Sequence, residues 1–195
     1  MLAFIFFLLL GNISAPLLFA LVLHNRKRLL ALHGGRPRVV CCTFMCMQLA
    51  ITAMRCLCFE KTQEFGDSSF TASGFLGYAI FLIGQILNFG VYYKIGIYGV
   101  YYGPAFGMKL PWVTGFPFWR WLPHPQYTGT ILSAFGSSIA HGSIGGLIFT
   151  AATIISYAFL VIPIERHYFG ELDKERKVLS PRVHDRNISQ DRMIE

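Results

Sequence analysis

Charged side chains are scarce in this chain of 195 residues. They make up 14% of the sequence, whereas hydrophobic residues make up 54%. Globular proteins carry about a quarter charged residues, so the shortage argues against a soluble globular fold. The composition instead indicates a single domain embedded in a lipid bilayer.

Acidic residues are the scarcer charged type, with 10 Asp and Glu against 17 Lys and Arg. Nucleic acid is a weak explanation for the excess of positive charge, because no soluble fold accompanies it. Membrane proteins collect Lys and Arg on their cytosolic side. Residues 24–38 contain no acid and five basic residues, which predicts a cytosolic loop: Arg26, Lys27, Arg28, Arg36 and Arg38. Residues 60–73 carry three acidic residues against one Lys and are predicted to be lumenal or external.

Metal-binding patterns are absent from the sequence. The five cysteines all lie between Cys41 and Cys58, and no group of histidines accompanies them. The spacing of Cys56 and Cys58 differs from that of zinc-binding pairs. We interpret the cysteines as small residues of a membrane helix, with a metal site or a disulfide as the alternative.

Long apolar runs predict membrane spans at residues 2–23, 39–59 and 74–103. The first run could instead be a cleaved signal peptide, but its basic residues follow the apolar run, and a spanning helix is favoured. Arg55 lies near the far end of the second span, where it could extend to the membrane interface.

A fourth apolar region, residues 127–164, is too long for one helix. Gly and Ser cluster between residues 140 and 146, as a turn requires. The pattern predicts a helical hairpin over residues 126–164 whose two ends share the cytosolic side; a single tilted helix is the alternative. The predicted fold is an all-α integral membrane protein, a multi-span helical bundle with a C-terminal hairpin.

The predicted membrane-embedded domain covers residues 1–179. Residues 180–195 have little apolar content and are predicted to form a disordered, charged cytosolic tail. Within the third span, Gly99 and Gly103 have the spacing that lets another helix approach closely, which favours a homo-oligomer.

The strip of residues 113–129 places prolines, aromatics, one Arg and one His between two apolar regions. Irregular backbone is tolerated in lipid only where protein or a water-filled cavity satisfies it, so the strip indicates a binding site. The hairpin would bring His124 and Tyr127 next to Glu165. An imidazole, a carboxylate and aromatic rings suit a cationic, partly apolar ligand. Each residue also has a purely structural explanation, at a helix start, in an ion pair or in an interfacial aromatic belt.

Around these residues the chain resembles the phosphatidylethanolamine and phosphatidyl-N-methylethanolamine N-methyltransferase family. The similarity covers most of the chain and is strongest over residues 82–129, which include VTGFPF at residues 113–118. A wider similarity, to isoprenylcysteine carboxyl methyltransferases, rests on the residues 124–129. The Arg that precedes the His in those enzymes is replaced here by Pro123.

The resemblance implies an S-adenosyl-L-methionine-dependent enzyme whose substrate is a phospholipid in the bilayer. The implied reaction is N-methylation of phosphatidyl-N-methylethanolamine, and of the unmethylated and dimethylated forms, toward phosphatidylcholine. The implied location is the endoplasmic reticulum membrane, crossed several times, with a mitochondrial membrane as a second location.

The resemblance also implies cofactor-binding residues. The Gly-x-Gly of the family falls on Leu82, Ile83 and Gly84, where the second glycine is kept. The Glu-Glu pair falls on Glu165 and Arg166, where the first Glu is kept. Arg166 is then expected to pair with the cofactor carboxylate or with a lipid phosphate.

His124 and Tyr127 are the predicted catalytic residues. A neutral imidazole at His124 can take the proton that the lipid amine must lose, with His167 and Glu165 as alternative bases. Two other functions remain open at the level of sequence. They are an isoprenylcysteine carboxyl methyltransferase and a non-catalytic lipid-binding membrane protein, the latter because Arg166 replaces the second Glu.

Overall fold

The computed structural model describes residues 2–64, 74–108, 115–117, 122 and 124–171. The predicted tail at residues 180–195 lies outside this part. The described residues form helices in the order α1 (Leu2–His24), α2 (Arg26–Leu32), α3 (Pro37–Gln63), α4 (Gly74–Val100), a 3-10 turn (Gly103–Phe106), α5 (Pro125–His141) and α6 (Ile144–Ser156). A π-helical turn, Tyr157–Val161, follows α6 directly, and the helix then continues to Glu171.

Four of the helical segments are long and apolar enough to cross a membrane: Leu2–His24, Pro37–Gln63, Gly74–Phe106 and Ile144–Glu171. They correspond to the three predicted spans and the second arm of the predicted hairpin. The prediction of an all-α membrane protein is confirmed.

Two helix pairs, α4 with α5 and α1 with α3, form the bundle, and α6 contacts α1, α3 and α5. Along the described residues α3 and α4 hardly touch each other. The described residues therefore leave a gap between these two helices.

Close backbone contact joins α4 to α5. A Cβ atom added at Gly84 would lie 2.5 Å from the carbonyl oxygen of Gly129 and 2.5 Å from the Ser133 hydroxyl. A Cβ added at Gly129 would lie 2.7 Å from the Gly84 carbonyl oxygen. Small residues allow this approach because helices in lipid associate through packing and hydrogen bonds.

The predicted hairpin is confirmed, and the single tilted helix is not formed. Helix α5 ends at His141 and α6 begins at Ile144, with Gly142 in the left-handed conformation between them. The Ser143 hydroxyl accepts a hydrogen bond from the Gly146 amide at 3.0 Å, which caps α6. It also donates to the Gln63 carbonyl at 3.1 Å, so the turn lies against the end of α3.

Helix α1 is a packed member of the bundle. Asn12, a polar residue within its apolar run, is buried and faces α6. The Thr153 hydroxyl donates to the Asn12 side-chain oxygen at 2.8 Å, and the Ser156 hydroxyl donates to the Asn12 carbonyl at 2.7 Å. Such bonds between helices hold polar residues in an apolar environment.

The end of α4 departs from the prediction of one regular span. Gly96 has φ 66° and ψ 177°, which interrupts the helix, and a side chain is disfavoured at this φ. The α-helix ends at Val100, and Gly103 is buried at the start of the 3-10 turn. Gly99 and Gly103 therefore do not share one helix face, and the predicted helix-pairing surface is not formed.

One end of the bundle collects the basic segment of residues 24–38, the start of α5 and residues 165–171. The Tyr168 hydroxyl lies 3.4 Å from Nδ1 of His24, and Glu165 contacts Tyr127. We call it the basic end. The excess of Lys and Arg predicts that it faces the cytosol.

Candidate active site

Glu165 lies at the centre of a group of polar and aromatic side chains at the basic end. Its Oε1 atom accepts hydrogen bonds from the hydroxyls of both Tyr102 and Tyr127. The hydroxyls of Tyr102 and Tyr127 are 3.3 Å apart. The predicted meeting of the two hairpin ends is thus present in the structure, and Tyr102 is an addition that the sequence did not indicate.

The position of Tyr127 follows from the proline at the start of α5. Pro125 occupies the first turn, where a missing N–H is not a loss. Tyr127 is two residues further along and points into the bundle, with its ring 4.7 Å from that of Tyr157. The start of α5 therefore fixes the position of the hydroxyl that donates a hydrogen bond to Glu165.

The π-helical turn aligns Tyr157 with Glu165. In a regular α-helix, Glu165 would be rotated by about 80° around the helix axis relative to Tyr157, eight residues earlier. A π turn accommodates one extra residue, which reduces the accumulated rotation by about 100°. The two side chains are then about 20° apart around the axis. Both contact Tyr127 as a result. Such turns are frequent at functional sites.

Tyr102 has an unfavourable backbone conformation at the same site. Its φ of 59° and ψ of 32° lie in the left-handed region, which is uncommon for a residue with a large side chain. Conformations of this kind cost about 1–3 kcal/mol and persist where surrounding contacts impose them. Here the Tyr102 ring is buried against Phe19, Phe44 and Phe169, with centroid distances of 5.3, 5.8 and 5.9 Å.

His124 stacks on Tyr127, with ring centroids 5.6 Å apart and an interplanar angle of 22°. It is half-buried, and its side chain makes no capping hydrogen bond to α5. Its imidazole therefore remains next to the group around Glu165. Arg166 and His167 are exposed, and Nε2 of His167 lies 3.6 Å from the Glu171 carboxylate.

Arg55 contacts Tyr157 within the bundle, whereas the sequence suggested that its side chain extends to the membrane interface. Its Nη1 atom donates to the Tyr157 hydroxyl at 3.1 Å, and its Cζ atom lies 5.5 Å from the centre of that ring. Its Nε atom is buried and has no hydrogen-bond partner among the described residues. The guanidinium thus points into the bundle and continues the row of side chains that starts at Glu165.

A cavity of ≈ 490 Å³ lies between the helices next to this row. Its wall includes Tyr127, Tyr157 and Arg55. Apolar groups form most of the remaining wall, and polar side chains from three helices lie among them: Gln48 and Thr52 on α3, Gln85 and Asn88 on α4, and Gln126, Thr130, Ser133 and Ser137 on α5. The polar lining is a feature of ligand sites and not of lipid-facing helix surfaces.

Of the tripeptide Leu82, Ile83 and Gly84, only Gly84 faces the inside of the bundle. Leu82 and Ile83 are 58% and 54% exposed, whereas Gly84 is buried against α5. Phe81 and Gln85, the neighbours of the tripeptide, line the cavity. The structure explains Gly84 by helix packing, and its role beside a cofactor stays a prediction.

Several residues of the cavity wall were not predicted as site residues, although their spacing in the sequence indicates a shared helix face. Gln48, Thr52 and Arg55 recur at intervals of four and three residues on α3. Gln85, Asn88 and Tyr92 recur at intervals of three and four residues on α4. Residues at these intervals share one helix face. A polar face on a helix otherwise surrounded by lipid would have predicted the cavity.

Comparison with known families is consistent with the location of this site. The sequence model of a family described as phospholipid methyltransferase matches residues 72–172. These residues make up about half of the chain and include α4, α5 and the Ile144–Glu171 helix. No solved structure matches the chain.

Individual relatives match shorter or longer parts of the chain. The phosphatidyl-N-methylethanolamine N-methyltransferase of Arabidopsis thaliana is 54% identical over 50 residues, covering 26% of this chain and 30% of that protein. The Saccharomyces cerevisiae protein of the same name is 35% identical over 106 residues, covering 52% of this chain and 51% of that protein. The phosphatidylethanolamine N-methyltransferase of Homo sapiens is 27% identical over 157 residues, covering 78% of each chain. The chain thus spans about half the length, or less, of the first two relatives.

Proposed function

Because the chain belongs to the phospholipid methyltransferase family, we propose that it methylates the amine of phosphatidyl-N-methylethanolamine with S-adenosyl-L-methionine as donor. The proposal extends to the unmethylated and dimethylated forms of the lipid, on the way to phosphatidylcholine. The observation that carries it is the contact of Tyr127 with Glu165. This contact joins the two hairpin ends within the matched region, beside a cavity whose wall includes polar side chains from three helices.

The described residues fit the methyl donor chemically. S-adenosylmethionine carries a sulfonium, an ammonium, a carboxylate and ribose hydroxyls. Glu165 supplies a carboxylate that contacts Tyr127, a residue of the cavity wall. The side-chain oxygens of Gln48 and Asn88 are buried without hydrogen-bond partners among the described residues. Tyrosine rings next to these groups can stabilise a cation. When bound, the donor supplies an electrophilic methyl group on positively charged sulfur.

Glu165 would hold the ammonium or the ribose hydroxyls of the donor, with Tyr102 and Tyr127 fixing the orientation of its carboxylate. Gly84 acts by keeping α4 against α5, so that the neighbouring residues of α4 form the cavity wall. Arg166 is exposed at the basic end, where it would pair with a carboxylate or a lipid phosphate. Cofactor contacts of Leu82 and Ile83 require their backbone, because both side chains point mainly outward.

His124 is the proposed base. An imidazole nitrogen of His124 would take the proton that the lipid ammonium must lose, which leaves the amine lone pair free for the methyl group that the donor would supply. The stacked Tyr127 ring orients the imidazole. Holding amine and methyl group in line, away from water, contributes further to the rate.

The proposed location is the endoplasmic reticulum membrane, with the active site at the cytosolic face. The spanning helices and the basic end support this orientation. A homo-oligomer through Gly99 and Gly103 is not part of the proposal, since Gly103 is buried within the chain.

The experiment is methyl transfer in microsomes from cells that express the full chain. With a radiolabelled methyl donor, label should enter lipid when mono- or dimethylated phosphatidylethanolamine is supplied, above the level of cells carrying an empty vector. Label in a base-labile ester of farnesyl-cysteine would instead show a carboxyl methyltransferase. Intact protein that binds no donor and labels no lipid would refute the proposal and leave a non-catalytic lipid-binding protein.

A further inference from the structure

Arg55 is a charged residue within a membrane-spanning helix. It precedes the end of α3 at Gln63 by eight residues, a distance of about 12 Å along the helix. Its side chain points inward to Tyr157. Charged residues in such segments are costly, and they generally face a cavity or a partner that uses the charge.

No acidic residue accompanies Arg55 in the part of the cavity wall that the structure describes. Among the described residues its guanidinium donates to the Tyr157 hydroxyl, and its buried Nε atom has no hydrogen-bond partner there. Arg55 is half-buried, and a charge within a membrane-spanning helix is normally costly unless an opposite charge pairs with it. The cavity therefore presents a guanidinium that lacks a protein anion.

Acceptors for a positive group lie on the same cavity wall. The side-chain oxygens of Gln48 and Asn88 are buried without hydrogen-bond partners among the described residues. The rings of Tyr127 and Tyr157, which also line the cavity, can face a cation. The wall thus combines a donor for an anion with acceptors for an ammonium group.

Access to this wall from the bilayer is open. Helices α3 and α4 hardly touch along the described residues, and Thr52 and Cys56, which line the cavity, are exposed. A ligand with an apolar part can therefore reach Arg55 from the side through the gap between the two helices.

We propose that Arg55 binds the anionic group of a zwitterionic ligand within this intramembrane cavity, while the amides of Gln48 and Asn88 contact its cationic group. The proposal rests on the proposed function, in which two ligands have this chemistry. They are the phospholipid headgroup, with a phosphate and an amine, and the amino-acid end of the methyl donor, with a carboxylate and an ammonium. A guanidinium can bind either anion through two parallel hydrogen bonds.

The test compares Arg55→Gln with the full-length protein in detergent or nanodiscs, through two binding measurements that do not depend on turnover. One is the dissociation constant of radiolabelled S-adenosylmethionine. The other is binding of phosphatidyl-N-methylethanolamine, followed by native mass spectrometry, with diacylglycerol as the ligand that lacks the headgroup. Arg38→Gln removes the same charge from the exposed first turn of α3 and is the matched control.

Arg55→Gln should lower the affinity for one of the two ligands by about tenfold or more, as expected for loss of a charge-assisted contact. Weaker binding of the phospholipid alone, with diacylglycerol unaffected, would identify the phosphate, and weaker binding of the donor alone would identify the carboxylate. Arg55→Lys keeps the charge but loses the paired geometry, and should give a smaller effect on the same ligand. Arg38→Gln should leave both affinities within about twofold.

A structural role for Arg55 predicts a different pattern. Loss of its hydrogen bond to Tyr157 would then lower the melting temperature and reduce the affinities for both ligands in parallel. This result would overturn the proposal. Unchanged affinities for both ligands would overturn it as well. If Arg55→Gln does not fold, Arg55→Lys decides between the same outcomes. Because both measurements report binding, the result is independent of whether the wild-type protein methylates lipid.

Discussion

Tyr127, in the first turn of α5, donates a hydrogen bond from its hydroxyl to Oε1 of Glu165, 38 residues later in the chain. The contact exists because α5 and α6 form a hairpin, and because the π-helical turn brings Glu165 onto the face that carries Tyr157. Helix packing and local helix geometry thus combine to place one carboxylate beside the cavity.

Tyr127→Phe is expected to lower lipid methylation by about tenfold or more while the protein still folds. The substitution keeps the ring that packs on Tyr157 and His124 but removes one hydrogen bond to the carboxylate, which is worth about 1.5–3 kcal/mol when one partner is charged. Methyl transfer in proteoliposomes measures the effect. Wild-type rates in this variant would show that Glu165 is oriented by Tyr102 alone.

Glu165→Gln separates the charge of this residue from its role as a hydrogen-bond acceptor. The Gln side chain has nearly the same shape, and its amide oxygen can still accept from Tyr102 and Tyr127. If the carboxylate binds the donor, affinity for S-adenosylmethionine should fall by about tenfold with a small change in melting temperature. Glu165→Ala should weaken donor binding similarly, with membrane insertion intact.

Equilibrium dialysis with labelled donor, alongside thermal unfolding, measures both quantities for the two Glu165 variants. Methylation kinetics that match wild type in Glu165→Ala would remove this residue from the active site. An effect of Glu165→Ala that Glu165→Gln does not share would show that the hydrogen bonds, and not the charge, are required.

The spans and the hairpin were predictable because each depends on local sequence. Apolar runs of sufficient length and a cluster of Gly and Ser between residues 140 and 146 are direct signals. The meeting of Tyr127 with Glu165 followed from the hairpin alone. The interruption of α4 at Gly96 could not be predicted in the same way, since an isolated glycine in a span can equally serve helix packing.

The cavity depends on which helix faces which neighbour, and a single sequence does not determine this. Arg55 illustrates the limit, because its distance from the helix end suggested an interfacial side chain, whereas its partner Tyr157 lies 102 residues away. Tyr102 is a second example. Its contact with Glu165 requires a left-handed backbone that propensity disfavours for tyrosine.

Gly84→Ala should destabilise the protein, because a Cβ atom here would lie 2.5 Å from the Gly129 carbonyl oxygen and 2.7 Å from the Ser133 amide nitrogen. Backbone atoms cannot move aside as a side chain can, so α4 and α5 must separate. Overpacking of this kind costs about 1–3 kcal/mol and would also distort the cavity wall. Thermal unfolding in detergent should show a lower melting temperature.

Gly170→Ala is the control for this prediction. No described residue lies within 4 Å of a Cβ atom added at Gly170, and alanine favours helix over glycine by about 1 kcal/mol. Its melting temperature should match or exceed that of wild type. Equal melting temperatures for Gly84→Ala and wild type would contradict the observed proximity of the two helices.

Asn12→Ala should loosen the attachment of α1 to α6. The substitution removes the side-chain oxygen that accepts from Thr153 at 2.8 Å, while the bond from Ser156 to the Asn12 carbonyl can remain. The Thr153 hydroxyl also donates to the Phe149 carbonyl at 3.0 Å, so it does not lose every acceptor. Hydrogen bonds between membrane helices average about 0.6 kcal/mol, with a maximum of about 1.7 kcal/mol, and we expect a loss of stability in this range.

Asn25→Ala is the matched control for Asn12→Ala, because both side chains donate to a carbonyl four residues earlier, at 2.9 Å for Asn12 and 2.8 Å for Asn25. Asn25 lies between α1 and α2, and its side chain donates to the Leu21 carbonyl within α1. Any effect common to the two variants therefore reports the local bond, and the difference between them reports the contact with Thr153. Thermal unfolding of both proteins measures that difference. If Asn12→Ala is no less stable than Asn25→Ala, the buried oxygen of Asn12 does not hold α1 to α6, and the attachment depends on apolar packing alone.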